Sequence, residues 1–161
     1  MRVTARGASS GQVVLLSTWF GAALLTAGVV APAAFAVLPT RDLAGQVVGR
    51  VLPVIFWWGM VTFATVMVLG AWTDMRTRFK PRVLLGAIGG TACMIAQFVV
   101  DGVIARVRAQ ANGPIDQLAP TNPLRIAFGQ LHLFSVVLLG IAMLGAVAIL
   151  IVALRDRRPA S

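Results

Sequence analysis

Long apolar segments separated by short polar connectors dominate the sequence. Four such segments cover residues 12–38, 48–73, 83–105 and 126–154. A helix rises about 1.5 Å per residue, so about 20 apolar residues cross a hydrocarbon core of about 30 Å. In lipid the backbone must satisfy its own hydrogen bonds, which favours helices for segments of this length. The alternation of apolar and polar residues that is typical of transmembrane strands does not recur along the sequence. The pattern predicts an all-α integral membrane protein: a single transmembrane domain, residues 1–161, folded as an antiparallel four-helix bundle.

The first segment has an alternative interpretation. Arg2 and Arg6 precede it, and Ala34-Phe35-Ala36 follows, an arrangement that resembles a cleavable signal peptide. The apolar stretch of residues 13–30 is longer than the usual core of a signal peptide. We therefore expect it to be the first span; cleavage would leave three spans.

Composition excludes several classes of soluble protein. The chain is 58% hydrophobic and 12% charged, about half the charged fraction of a typical soluble domain. A net charge of +9 would suggest nucleic acid in a soluble protein. Here the cations lie mostly between apolar segments, where they orient a membrane protein and attract anionic headgroups. We expect a lipid bilayer as the surrounding partner and no nucleic-acid binding.

Orientation follows from counting the cations on each side of four predicted spans. One side has nine and the other five. The nine are Arg2, Arg6, Arg76, Arg78, Lys80, Arg82, Arg155, Arg157 and Arg158, and the five are Arg41, Arg50, Arg106, Arg108 and Arg125. Because cytoplasmic connectors are enriched in Lys and Arg, the excess predicts both termini in the cytoplasm. The location expected is the cell inner (plasma) membrane.

Two polar residues inside predicted spans are the main candidates for chemistry. Asp101 lies in the third segment and His132 two turns into the fourth. An ionisable group at such depth costs roughly 2.5–3.5 kcal/mol on insertion scales and usually faces the bundle interior. Gln97 and Arg108 extend a polar stripe with Asp101. Antiparallel helices would bring Asp101 and His132 to similar depth, either as an interhelical hydrogen bond or as a proton, ion or ligand site.

Sulfur-containing side chains are a weaker metal candidate set. Met60 and Met67 lie seven residues apart on one helix face, and Cys93 lies inside the third segment. Soft ligands suit Cu(I), although Met is also a common apolar gap-filler. With one His and one Cys, one chain can build neither a bis-histidine haem site nor a Cys/His zinc site. No cofactor is therefore expected.

Small residues and one proline are candidates for helix packing. Gly86 and Gly90 form a Gly-x-x-x-Gly motif, which lets helices approach closely. Pro32 is expected to kink the first helix near its end. Trp19 and Gly21, in the first half of the first segment, are included in the same packing set.

Several of these residues lie in short motifs. They are Trp19-Phe20-Gly21, Ala31-Pro32-Ala33-Ala34-Phe35, Ala44-Gly45 before Pro53, and Phe128-Gly129-Gln130-Leu131-His132. Together they resemble the transmembrane-protein-205-like family, the bacterial domain of unknown function 4149. The resemblance implies four helices and no established catalytic activity. The third segment departs from the family pattern at Asp101-Gly102-Val103-Ile104. The architecture is also similar to the four-helix units of copper-resistance membrane proteins.

Two hypotheses for function remain. The first is a small non-catalytic membrane protein, an accessory or structural subunit that packs against other membrane proteins or itself. It rests on the short connectors and the packing glycines. The alternative is a transporter or tolerance factor for a soft, copper-like metal or a hydrophobic cation. It rests on Asp101, His132, Met60, Met67 and Cys93. An enzyme is not expected, because no nucleophile with its base is recognisable.

Overall fold

A computed structural model describes the backbone of residues 5–73, 79–111 and 113–155, and within these ranges the chain is helical outside its connectors and contains no strand. The helices are α1 (Ala5–Leu25), α2 (Ala31–Val37), α3 (Arg41–Thr73), α4 (Phe79–Met94), α5 (Asp101–Gln110) and α6 (Pro123–Arg155). A π-helical segment, Thr26–Val30, joins α1 to α2, and a second, Ile95–Val100, joins α4 to α5. These elements form four continuous helical rods.

The four rods are long and apolar enough to cross a membrane. Within the described residues, the spans are Ser10–Val37, Arg41–Ala71, Pro81–Gln110 and Pro123–Arg155. Each span packs against the next along the chain, and the first also packs against the fourth. The predicted all-α transmembrane four-helix fold is confirmed. The side of the membrane on which the termini lie stays a prediction.

The helices extend beyond the apolar segments from which they were predicted. The second span begins at Arg41 rather than 48, so its connector to α2 contains three residues and Pro53 lies inside α3. Thr40 caps α3, because its Oγ1 accepts the N–H of Leu43 at 3.2 Å. Asn122 caps α6 in the same way through the N–H of Leu124, at 2.9 Å. Hydropathy locates the lipid-immersed part of a helix, whereas the caps determine where the helix begins.

The first π-helical segment ends two residues before Pro32. Proline has no N–H and its ring clashes with the carbonyl four residues earlier, so a regular α-helix cannot run through it unchanged. Pro32 occupies the first turn of α2, where this loss is tolerated, and the wider turn over Thr26–Val30 accommodates the break. The Oγ1 of Thr26 donates to the carbonyl of Ala22 at 2.8 Å within this turn. Pro32 itself is exposed.

The core is centred on Trp19, which is fully buried. Its Nε1 donates to the carbonyl of Ile55 at 2.9 Å, and its ring packs edge-on against Phe63 at 5.2 Å. Both partners belong to α3, so Trp19 joins the first span to the second. The same buried cluster includes Leu16, Cys93 and the α6 residues Ala142, Ala146 and Ile149.

Glycines at three positions let α3 and α4 approach closely. A Cβ added to Gly59 would lie 2.7 Å from Sγ of Cys93, and one added to Gly86 would lie 2.8 Å from Cγ of Met67. At Gly89 an added Cβ would meet the ring of Phe63 at 2.5 Å. Gly90, by contrast, would make an ordinary contact of 3.5 Å with Phe63. The face through Gly86 and Gly89 is therefore the tighter one.

Gly21 lies on the exposed side of α1. A Cβ added there would meet nothing within 4 Å in the described part of the chain. Its position two residues from the buried Trp19 turns it away from the core.

A buried polar link joins three spans at the end of the bundle opposite the α2–α3 connector. Nη1 of Arg82 donates to Oε1 of Gln12 at 3.4 Å, and Nε2 of Gln12 donates to the carbonyl of Val66 at 3.3 Å. Arg82 was assigned to a polar connector, but the structure places it inside α4 and buries it. Residues 74–78 of that connector lie outside the described ranges.

Candidate functional site

The main candidate site is a cavity of about 340 Å³ at the connector end of the bundle, meaning the end with the α2–α3 and α5–α6 connectors. It lies between α3, the third span and the first half of α6. Its polar lining comes from Gln46, Arg50, Gln97, Asp101, Arg108, His132 and Ser135. A partly apolar cavity with a few converging polar groups is the usual form of a small-molecule site.

Asp101 and His132 both line this cavity. Asp101 lies nine residues before the end of α5, and His132 lies nine residues after the start of α6. At 1.5 Å per residue, each is about 14 Å from its end of the shared connector. The structure thus brings the two side chains to one depth and one cavity. It shows no hydrogen bond between these two described residues, so a ligand or water rather than direct contact would have to join them.

Arg108 extends into the same cavity from the last turns of α5. Its guanidinium carbon lies 5.2 Å from the centre of the Phe128 ring, a cation–π contact to α6. Phe128 in turn stacks on His132, with centroids 6.5 Å apart and planes inclined by 10°. The guanidinium also approaches α3: a Cβ added to Gly45 would lie 3.2 Å from its Nη2. Glycine at this position leaves the room that Arg108 occupies.

Two buried polar atoms near the cavity are unsatisfied. Among the described residues, neither Nε of Arg108 nor Oε1 of Gln97 has a hydrogen-bond partner. Most buried polar atoms in proteins are paired, so such atoms mark places where a water, ion or ligand would be stabilised. Gln97 belongs to the π-helical segment Ile95–Val100, and segments of this kind are frequent at functional sites.

The cavity changes character with depth. Arg108 and Gly45 lie within four residues of their helix ends, where lipid headgroups would be. Phe56 lies fifteen residues into α3, about 22 Å from its start, and Ala96 lies at a comparable depth in the third span. The site is thus cationic near the membrane surface and mainly apolar towards its deep end, where the amide of Gln97 and the buried hydroxyl of Ser135 add two polar groups.

The α5–α6 connector anchors the helix ends that frame the cavity. Oδ2 of Asp116 accepts the N–H of Asp42 at 3.3 Å in the first turn of α3, where a negative charge is favourable. Arg125, in α6, donates through Nη1 to the carbonyls of Asp116 at 3.3 Å and Leu118 at 2.6 Å. The connector therefore fixes α3 relative to α6.

The sulfur-containing candidates lie elsewhere. Cys93 is fully buried beside Gly59, and Met67 packs against Gly86. Met60 is partly buried against the core. In the part of the chain that is described, none of the three lines the cavity, and no three His, Cys, Asp or Glu side chains come close enough to hold a metal ion. The structure does not bring Asp101 and His132 together with the sulfur atoms.

The role of α3 in the site was missed from the sequence. Gln46 lines the cavity from the part of α3 that precedes the predicted segment 48–73, and Gly49 and Arg50 line it from the first turn of that segment. The available signal was the pair of Gly45 and Gly49, four residues apart, which keeps one helix face free of side chains. Read as part of a helix, this spacing would have indicated a recess.

One comparison with known proteins gives a match. Residues 14–113, more than half of the chain, match the family described as Domain of unknown function (DUF4149). The matched region covers most of the first span and all of the second and third, and it ends before the Phe128–His132 motif. The match supports assignment to the domain of unknown function 4149, and it does not support the narrower transmembrane-protein-205-like name. No curated protein and no solved structure matches the chain.

Proposed function

We propose that this chain, which belongs to the family described as Domain of unknown function (DUF4149), is a non-catalytic membrane protein that binds a small amphipathic molecule in its connector-end cavity. The observation that carries this proposal is that Arg108 and Gln97 both line the cavity, while each has one buried polar atom without a described partner. Leaving such atoms unpaired costs about 1–3 kcal/mol each, and a ligand would remove that cost. The cavity volume suits a headgroup or a small molecule.

Filling the cavity tests this proposal. We expect Gly49→Leu to abolish retention of the molecule that copurifies with the wild-type protein. Gly49 lines the cavity and a Cβ there would meet nothing within 4 Å, so a leucine can occupy ligand space without displacing protein. The measurement is native mass spectrometry of protein extracted in mild detergent, with the mass of each bound molecule recorded.

The matched control is Gly21→Leu, the same substitution at another open helix position outside the cavity. It should retain the ligand as the wild type does. Equal adduct patterns in all three proteins would contradict ligand binding in this cavity.

A second candidate function is that of an accessory or structural subunit. Its support is an exposed aromatic patch formed by Trp57, Trp58 and Phe98, in which Trp57 and Phe98 pack edge-on at 5.4 Å. Beside it, a shallow apolar groove runs along Pro53, Val54 and Val61. Aromatic side chains are enriched at the cores of protein interfaces, and this patch would suit a helix of another membrane protein or of a second copy.

The subunit hypothesis makes its own prediction. We expect protein extracted in mild detergent to migrate as a larger assembly, and the double variant Trp57→Ala, Trp58→Ala to migrate as a monomer. The control is Leu24→Ala, Leu25→Ala, which removes two exposed apolar side chains from α1. A wild-type protein that is already monomeric by light scattering, with no copurifying protein, would contradict the hypothesis.

The soft-metal or hydrophobic-cation alternative has narrower support. It rests on Asp101 and His132 alone, since Met60, Met67 and Cys93 lie outside their cavity.

For location, we propose the inner (plasma) membrane with both termini in the cytoplasm. The nine-to-five distribution of cations supports this orientation.

A further inference from the structure

We propose that the ligand of the connector-end cavity carries an oxyanion, a phosphate or carboxylate, and that the guanidinium of Arg108 binds it. This inference rests on the proposed binding function and specifies its ligand class. The favoured molecule is an anionic membrane lipid, with its headgroup at Arg108 and hydrocarbon in the deeper cavity.

The first argument is the state of the Arg108 side chain. It is half-buried at the end of a membrane span, and in the described ranges Nε is buried without an acceptor. A buried charge is unfavourable unless it is paired and hydrogen-bonded. The cation–π contact to Phe128 stabilises the positive charge through the ring face but supplies no acceptor for the N–H groups. A guanidinium offers a planar fork of donors that fits the paired oxygens of phosphate or carboxylate.

The second argument is the balance of charge around the cavity. Arg50 and Arg108 contribute two permanent positive charges, and Asp101 is the one carboxylate among the described lining residues. Asp101 lies seven residues before Arg108, about 10 Å along the helix axis, while the guanidinium extends towards Phe128 and Gly45. Asp101 therefore does not serve as the counter-ion of Arg108. The excess positive charge favours an anion over a cation.

The third argument is the order of polar and apolar walls. Arg108 lies two residues before the end of α5, at headgroup depth, and the apolar walls formed by Leu52, Phe56 and Ala96 lie deeper. An anionic lipid has its charge and hydrocarbon in this same order along the membrane normal. Free phosphate would occupy the cationic end and leave the apolar end without a partner. This difference favours the lipid.

The test compares binding of phosphatidylglycerol, phosphatidylcholine and inorganic phosphate by native mass spectrometry of the full chain. We expect the wild type to retain phosphatidylglycerol in preference to phosphatidylcholine. Arg108→Gln should weaken phosphatidylglycerol binding about ten- to a hundredfold, the effect of losing a charge-assisted hydrogen bond. Arg106→Gln is the matched control: it removes the same charge from an exposed position on α5 outside the cavity, and it should change binding less than about threefold.

The variants also separate the two proposals. If Arg108→Gln is not recovered folded, Arg108→Lys, which keeps the charge but loses the fork, should bind phosphatidylglycerol more weakly than wild type. A ligand that is lost in Gly49→Leu but retained in both Arg108 variants would overturn the oxyanion assignment and leave the binding function standing. Equal retention of phosphatidylglycerol by wild type, Gly49→Leu and Arg108→Gln would overturn both. Competition by inorganic phosphate at millimolar concentration, without preference between the two lipids, would support the oxyanion and exclude a lipid as its source.

Discussion

Gly59→Leu is expected to prevent recovery of a folded bundle. An added Cβ would lie 2.7 Å from Sγ of Cys93 and 2.9 Å from Nε1 of Trp19, which are both fully buried. These side chains belong to the third and first spans, so α3 would have to separate from both neighbours. One extra methylene group in a packed core costs about 1–3 kcal/mol, and leucine adds several heavy atoms.

The measurement is the yield of monodisperse protein in detergent, together with its thermal midpoint. Gly21→Leu is the control, because the same side chain there faces open surroundings. A Gly59→Leu protein that matches wild type in both yield and midpoint would show that the spans do not pack through this glycine.

Trp19→Ala is expected to reduce the free energy of unfolding by about 3–5 kcal/mol, the range for removing a large aromatic side chain from a packed core. Trp19 is fully buried. Its replacement by alanine removes the ring contact with Phe63 and the hydrogen bond to the carbonyl of Ile55. In a membrane protein the loss is mainly of van der Waals contacts, since lipid is as apolar as the core. The measurement is reversible unfolding in mixed micelles of increasing denaturing-detergent content.

Trp57→Ala is the matched control for that variant. Trp57 is 52% exposed, and its contact is an edge-on pair with Phe98 on the outer surface. We expect a loss below about 1.5 kcal/mol, the upper value for an aromatic pair. Equal losses for the two variants would contradict the central role of Trp19.

The number of spans could be predicted from the sequence because lipid imposes one strict requirement on the backbone. Four apolar segments of sufficient length had to be four helices, whatever their side chains. The helix ends followed a different rule. The second span begins at Arg41 because Thr40 and Asp116 satisfy its first N–H groups, and Asp116 lies 74 residues away from Asp42 in the chain. Hydropathy carries no information on such a contact.

The candidate site was predictable only in part. Asp101 and His132 could be placed at one depth, since two antiparallel helices that share a connector can be counted from its ends. The direction of the Arg108 side chain could not be predicted, because it depends on the free space beside Gly45 and on the ring of Phe128. Similarly, the sequence contains 16 glycines, and only the packed structure shows that Gly59 and Gly89 make the closest contacts among the glycines it describes.

The π-helical segment Ile95–Val100 gives the third span two differently oriented halves. One residue added to a helix turns everything beyond it by about 100°, since a turn contains 3.6 residues. Before this segment in the chain, α4 presents Gly86 and Gly89 to α3. After it, α5 places Asp101 and Arg108 in the cavity lining. Deleting one residue from this segment would rotate Asp101 and Arg108 by about 100° relative to the preceding half of the span, out of their places in the cavity lining, although every side chain beyond the deletion would be unchanged. The number of residues in the third span therefore determines which groups line the cavity as much as the identity of its side chains does.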